Sequence, residues 1–258
     1  MRNIQAKASD PWFLKARPSV LSGKLQAYST ERASAPVLEL LAPLGVHEFY
    51  ADTTADAVTV NGFGLSAALS MSSGLDLVWI VHDRAGLESG RPYGAGLHEM
   101  GVAPEQVLLV RARDIRCLLS AGEDALRTRK VGTVLLSAWG EDRALSLTAS
   151  RRLSLAARNG GKRLFLTRAG AAPQPSAAES RWLVRSAAST PLEGGAPGRP
   201  AFSATLLRNR AGAATGTWMM EWDREGRSFI EPTPVSGGLV PLAAHRSISA
   251  PGSVRRRA

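Results

Sequence analysis

The sequence predicts an α/β fold: a mainly parallel central sheet flanked by helices, with antiparallel strands added at the C-terminal edge. Three observations predict it. Short apolar runs at Leu77–Val81, Val107–Val110, Val131–Ser137 and Arg163–Thr167 have the character of strands buried on both faces. Helical patterns lie between them, with roughly 25–30 residues from one strand to the next. Near Ala169 the pattern gives way to Pro-, Gly-, Ala- and Ser-rich stretches separating further strands. Strand–helix–strand alternation implies right-handed crossovers, with helices covering the sheet.

The elements follow in order. Residues 1–35 read as an N-terminal arm with a short helix around Val20–Tyr28. Pro36–Ala42 is a helical turn, and Val46–Tyr50 alternates as a strand. Asn61–Ser73 is a helix rich in Ala and Leu, and Tyr93–Met100 is a short helix closed by Gly101. Asp114 is a candidate N-cap for a helix to Thr128. Thr148–Asn159 is amphipathic and stops at Gly160-Gly161. Arg181–Arg185, Phe202–Arg210, Gly216–Asp223 and Ser228–Glu231 are expected to be the antiparallel additions, with a turn at Arg210–Gly216. Trp218 and Trp222 share one face of their strand and are expected to pack in the core. The core therefore spans 36–231, and 232–258 reads as a disordered basic tail ending in Arg255-Arg256-Arg257.

Charge is uneven. Residues 1–30 carry five basic and one acidic side chains, residues 31–170 carry 16 and 15, and residues 171–258 carry 11 and 6. A near-neutral core with basic flanks favours polyanions, or is a matter of solvated tails. The single cysteine, Cys117, excludes a disulfide framework and reads as a buried structural residue. No apolar run reaches the ~20 residues of a membrane span, and Asp10, Pro11 and Lys15 interrupt any signal-peptide pattern, so a cytoplasmic chain is expected.

In open α/β sheets ligands sit beyond the carboxyl ends of the strands. A phosphate-binding loop there needs glycines to wrap the phosphates, a Lys to neutralise them and a hydroxyl for Mg²⁺. The segment Ala51–Gly64 has two acids and no Lys, so nucleotide hydrolysis is not expected. Asn61, Gly62 and Gly64 could form a helix N-terminus that accepts an anion, a degenerate nucleotide site. The pairs Gly23-Lys24 and Gly161-Lys162 lack a following Ser or Thr. Glu141 and Asp142 are the nearest acids to a metal-holding position after the third buried strand, where a solvated loop is the plainer role. His47 and Glu48 are neighbours on a strand and point to opposite faces, so they cannot share a metal. His82-Asp83 lies at the carboxyl edge, His98 and His245 have no evident partners, and no nucleophile elbow is present. No catalytic residue, metal site or cofactor is expected.

Pro92–Val102 leading into Val107–Val110, and Leu147–Leu153, resemble stretches of the RecA-like fold. More closely, the chain resembles the ImuA family of RecA-like proteins from bacterial inducible-mutagenesis cassettes. The strings that carry this are Val46–Phe49, Tyr93–Leu97, Leu109–Arg113, Leu147–Leu153, Pro175–Trp182, and Leu206–Arg210 with Trp218–Asp223. The resemblance spans 36–231. It implies an SOS-induced accessory factor of error-prone translesion DNA synthesis, in the cytoplasm and at the nucleoid during DNA damage. The implied partners are an ImuB-like inactive Y-family polymerase and an error-prone polymerase alpha subunit, with RecA and DNA as further candidates.

Arg151, Arg152 and Arg168 stand near positions where RecA-type proteins bind DNA, and guanidinium forks suit phosphate oxygens. A solvated helix face is the plainer role for the first two. Arg181, Arg208 and Arg210 flank the added strands and are candidates for a partner surface. Two other readings compete with the non-catalytic adaptor: an ATPase with an atypical nucleotide site, and a SulA-like cell-division inhibitor.

Overall fold

The computed structural model describes residues 36–72 and 76–232. The expected arm, its helix at Val20–Tyr28 and the tail beyond Pro232 lie outside these residues. The described residues build one nine-stranded sheet in the order β3-β2-β4-β5-β1-β6-β7-β8-β9. The strands are β1 Gly45–Ala51, β2 Asp76–His82, β3 Val107–Ala112, β4 Val131–Trp139, β5 Arg163–Ala169, β6 Ser180–Ser186, β7 Ala201–Asn209, β8 Thr217–Asp223 and β9 Ser228–Ile230. The first six are joined by parallel pairings and the last three add antiparallel. The α/β architecture with a mainly parallel sheet and antiparallel additions is therefore as expected, with one correction: β6 pairs parallel to β1. The loop Gly170–Glu179 runs from the carboxyl end of β5 back to the amino end of β1, so β6 starts level with β1.

The helices are α1 Val37–Leu41, α2 Ala57–Ser70, α3 Asp83–Glu88, α4 Gly94–Glu99, α5 Ile115–Arg127 and α6 Leu147–Asn159. Phe49, Phe63, Phe165, Trp182 and Trp222 join the core on the α2 side of the sheet. Val46, Val78, Ile80, Leu118, Leu136, Leu153 and Leu164 build the core beneath α5 and α6. Phe63 meets the rings of Phe49, Phe202 and Phe229 at 4.9–5.5 Å, which ties α2 to the added strands. Trp222 is buried, and the partly buried Trp218 packs against Trp182 at 5.6 Å.

The caps are as the sequence suggests. The Asp114 carboxylate accepts the Cys117 N–H at 2.7 Å, and Gly161 takes φ 64° just past α6. The next residue, Lys162, is buried and donates to the carbonyls of Leu126 and Thr128 at the end of α5. That Gly-Lys pair is a helix cap, which satisfies carbonyls that α5 itself leaves open.

Other expectations are corrected. β3 is an edge strand: Leu108 is 59% and Leu109 41% exposed, so its apolar run does not mark burial on both faces. Cys117 is half-buried, resting on the α5-side core without entering it. α3, absent from the sequence reading, begins at Asp83, whose carboxylate pairs with Arg111 at 2.9 Å. None of the described helices is long and apolar enough to cross a membrane.

His47 on β1 is fully buried, hydrogen-bonded to Ser180 Oγ at 2.7 Å and the Pro43 carbonyl at 2.9 Å. Burial pulls its pKa from 6.5 to about 4, against the Pro43 hydrogen bond, which raises it. A depressed histidine pKa means that protonation favours the unfolded chain. Stability is therefore fully present above pH 6.5 and is lost as pH falls from there to about 4. The contribution lost is about 3 kcal/mol, at roughly 1.4 kcal/mol per pH unit. Urea denaturation at a series of pH values should show this slope, and His47→Asn should flatten it.

Candidate functional site

The turn after β1 is where a nucleotide would be cradled, and it is closed by its own carboxylate. Thr53 caps a short 3-10 turn, Thr54–Asp56, that runs directly into α2. Asp56, only 8% exposed, accepts from the Thr53 N–H at 3.2 Å and the Thr53 hydroxyl at 2.8 Å through one oxygen. Its other oxygen accepts from the Ser186 N–H at 2.9 Å and the Ser186 hydroxyl at 3.3 Å. Burial alone would raise the Asp56 pKa, but these four donors hold it below the usual carboxylate range. A fixed negative charge thus stands where the helix dipole would otherwise attract a phosphate.

The placement expected for Asn61, Gly62 and Gly64 is corrected. α2 begins at Ala57, four residues before Asn61, so these three lie inside the helix, where backbone N–H groups already have intrahelical acceptors. Their roles are in packing. The Asn61 Oδ1 accepts from Ser137 Oγ at 2.8 Å and Thr167 Oγ1 at 2.6 Å, and Ser137 Oγ accepts from Trp79 Nε1 at 2.9 Å. This network locks α2 to β2, β4 and β5. At Gly64 a Cβ would stand 2.7 Å from Thr167 Cγ2 and 3.0 Å from Leu135 Cδ1, so only hydrogen fits. At Gly62 the nearest atom would be Phe202 Cε1 at 3.7 Å.

The acids at the carboxyl edge serve local structure. Asp142 accepts the Ala144 N–H at 2.7 Å. Among the described residues no group of three or more His, Cys, Asp or Glu is placed to hold a metal. His47 and Glu48 do face opposite sides. Glu48 accepts from Ser176 Oγ at 2.7 Å and Arg181 Nε at 3.1 Å, away from the Ser180 and Pro43 partners of His47.

The six arginines singled out in the sequence fall into three groups. Arg152 reaches across to α5 and pairs with Glu123 at 2.8 Å. Arg168 is buried and Arg181 is half-buried. Arg181 pairs with Glu48 and donates to Ser176 Oγ at 2.7 Å. Arg168, 2% exposed, donates to the Tyr50 hydroxyl at 3.1 Å and lies 5.2 Å from that ring's centre. Its Nε and Nη2 have no hydrogen-bond partner among the described residues. The Tyr50 pKa is raised, first by burial and then by Glu48. Arg168 is enclosed beneath α6 and the loop Gly170–Glu179, and Arg181 is engaged by Glu48 and Ser176, so neither is presented to a ligand outside.

The remaining three, Arg151, Arg208 and Arg210, come together. They line a cleft of about 490 Å³ with Leu147, Ser154, Leu155, Arg158, Ser176 and Ala177. Arg158 is the member sequence reasoning missed. It stands seven residues after Arg151, two helical turns along the same face of α6, and that spacing was the available signal. Arg158 pairs with Glu179, and Arg208 donates to the Ser176 carbonyl at 3.3 Å. Arg151 and Arg210 have no acidic partner among the described residues. The Ser154 hydroxyl, buried and without a hydrogen-bond partner among the described residues, lies in the cleft wall. Four arginines against a single glutamate make a strongly cationic recess.

No family model matches the chain. It is similar to Protein ImuA of Caulobacter vibrioides, in strains NA1000 / CB15N and ATCC 19089 / CIP 103742 / CB 15. The identity is 32% over 203 residues, covering 74% of this chain and 77% of each relative. Among solved structures it is similar to SulA from Pseudomonas aeruginosa, at 23% identity and a TM-score of 0.37, over 50% of this chain and 100% of that one. That structural likeness is too slight to bear on function. The sequence similarity extends over about three quarters of both chains, and on that ground the chain belongs to the ImuA family.

Proposed function

We propose that the chain is a non-catalytic accessory protein of inducible mutagenesis, serving SOS-induced error-prone translesion synthesis, and that its arginine cleft seats the phosphate backbone of DNA. Family membership supports the setting. The observation that carries the DNA contact is the convergence of Arg151, Arg158, Arg208 and Arg210 on one recess. Arginine forks match phosphate oxygens in pairs, and backbone contacts of this kind position a nucleic acid without reading its sequence. An ImuB-like inactive polymerase and an error-prone polymerase alpha subunit would assemble with the chain, and RecA remains a further partner of the same pathway. Support for a non-catalytic role comes from the Asp56 carboxylate at the start of α2, which opposes a bound triphosphate.

The test is fluorescence anisotropy of a labelled oligonucleotide over a salt series. Neutralising about four phosphates should give a log–log salt slope near −3 to −4. Arg151→Ala and Arg208→Ala should each weaken binding uniformly across sequences and reduce the slope by about 1. Binding indifferent to both substitutions would remove the cleft from the function. ATP turnover lost on replacing Asp52 or Asp56 would overturn the non-catalytic reading.

A further inference from the structure

A second recess lies on the other side of the sheet, between α2, β2 and the segment that carries α4. Its volume is about 240 Å³. That is below the ~300–1,000 Å³ of sites for drug-sized ligands, and suits one or two inserted side chains. The walls are apolar: Val58, Leu65, Trp79, Val81, Leu97 and Met100. At the mouth, Val58 is 63% and Tyr93 70% exposed. Exposed apolar side chains rimming an apolar hollow are the receptor half of an anchor contact.

Two polar groups define what the anchor carries with it. Both hydroxyl partners of Asn61 bind its Oδ1, while its Nδ2 makes no hydrogen bond among the described residues. It leaves a donor in the lining for a peptide carbonyl. Arg91, also in the lining and exposed, has neither an ion pair nor a hydrogen bond among the described residues. It offers a charge for a carboxylate.

We infer that this recess docks a partner protein through a peptide segment carrying one large apolar side chain beside an acidic residue. The apolar side chain enters between Val58 and Trp79, the backbone carbonyl accepts from Asn61, and the carboxylate pairs with Arg91. The surface is separate from the arginine cleft and does not depend on it, so one accessory protein would hold nucleic acid and partner at once.

The test uses the full chain and a labelled acetyl-Asp-Glu-Phe-Leu-Glu-amide peptide. Saturable anisotropy is expected, with a change in tryptophan fluorescence that Trp79→Phe diminishes. Val58→Glu and Arg91→Glu, both at exposed positions, should weaken binding at least about tenfold, which corresponds to ~1.4 kcal/mol. The same peptide with lysines in place of its acids should bind as weakly. Arg208→Ala should leave peptide binding unchanged while it impairs oligonucleotide binding, so failure of either proposal is distinguishable. Absence of saturable binding, or equal binding to the Arg91→Glu variant, overturns the inference. So does a dimer in sedimentation that Val58→Glu dissociates, which would make a second copy the occupant.

Discussion

Glu48→Ala is expected to destabilise the fold by about 3–5 kcal/mol, the cost of leaving a buried partner charge uncompensated. The Glu48 carboxylate is 3% exposed and is the acid paired with Arg181, and it shares a small cavity with Arg168. Without it, the largely enclosed Arg181 guanidinium loses its ion-pair partner, and the cavity that holds Arg168 loses its acid. Chemical denaturation is the measurement, with the midpoint falling and the m-value unchanged. Glu48→Leu combined with Arg181→Leu should cost less than the two single losses summed, because the pair is coupled. The effect should extend to the surface. Ser176 accepts from Arg181 and donates to Glu48 through its hydroxyl, and its carbonyl accepts from Arg208. Loss of Glu48 should therefore loosen the wall of the arginine cleft and weaken oligonucleotide binding as well. A cost below about 1 kcal/mol would show that the buried charges are stabilised by other groups.

Gly64→Val is expected to be comparably damaging, and Gly64→Ala to cost about 1–3 kcal/mol despite alanine's better helix propensity. The added Cβ would sit 2.7 Å from Thr167 Cγ2 and 3.0 Å from Leu135 Cδ1, and both neighbours are buried in the sheet. Gly62→Ala makes the opposite case. Its Cβ would meet only the Phe202 ring, at 3.7 Å, so the propensity gain of up to ~1 kcal/mol should survive. Thermal melts of the two alanine variants should shift in opposite directions. If both gained stability, α2 would have room over the sheet and Gly64 would have no packing role.

Much of the fold was legible because its cause is local. β2, β4 and β5 are apolar runs of strand length, and α5 and α6 carry their own caps in Asp114 and Ser146. The start of α2 was hidden, because Val58, Thr59 and Val60 are β-branched and weak helix formers, held helical here by the turn before them and the sheet below. β3 was misread because an apolar run looks the same at an edge as in the middle of a sheet. Only the strand order leaves Leu108 and Leu109 exposed.

The candidate site divides in the same way. Residue types alone show that the segment Ala51–Gly64 lacks the Lys-Ser/Thr pair of a phosphate-binding loop. They also mark the arginines, because charge is a property of each side chain. Which arginines act together is a matter of distance in space. α6, the loop Gly170–Glu179 and the end of β7 are far apart in the chain, yet they bring Arg151, Arg158, Arg208 and Arg210 to one recess. The same packing buries Arg168, pairs Arg181 with Glu48 and ties Arg152 to Glu123. Burial and pairing are relations between elements, and so the tertiary structure alone separated the exposed cations from the structural ones.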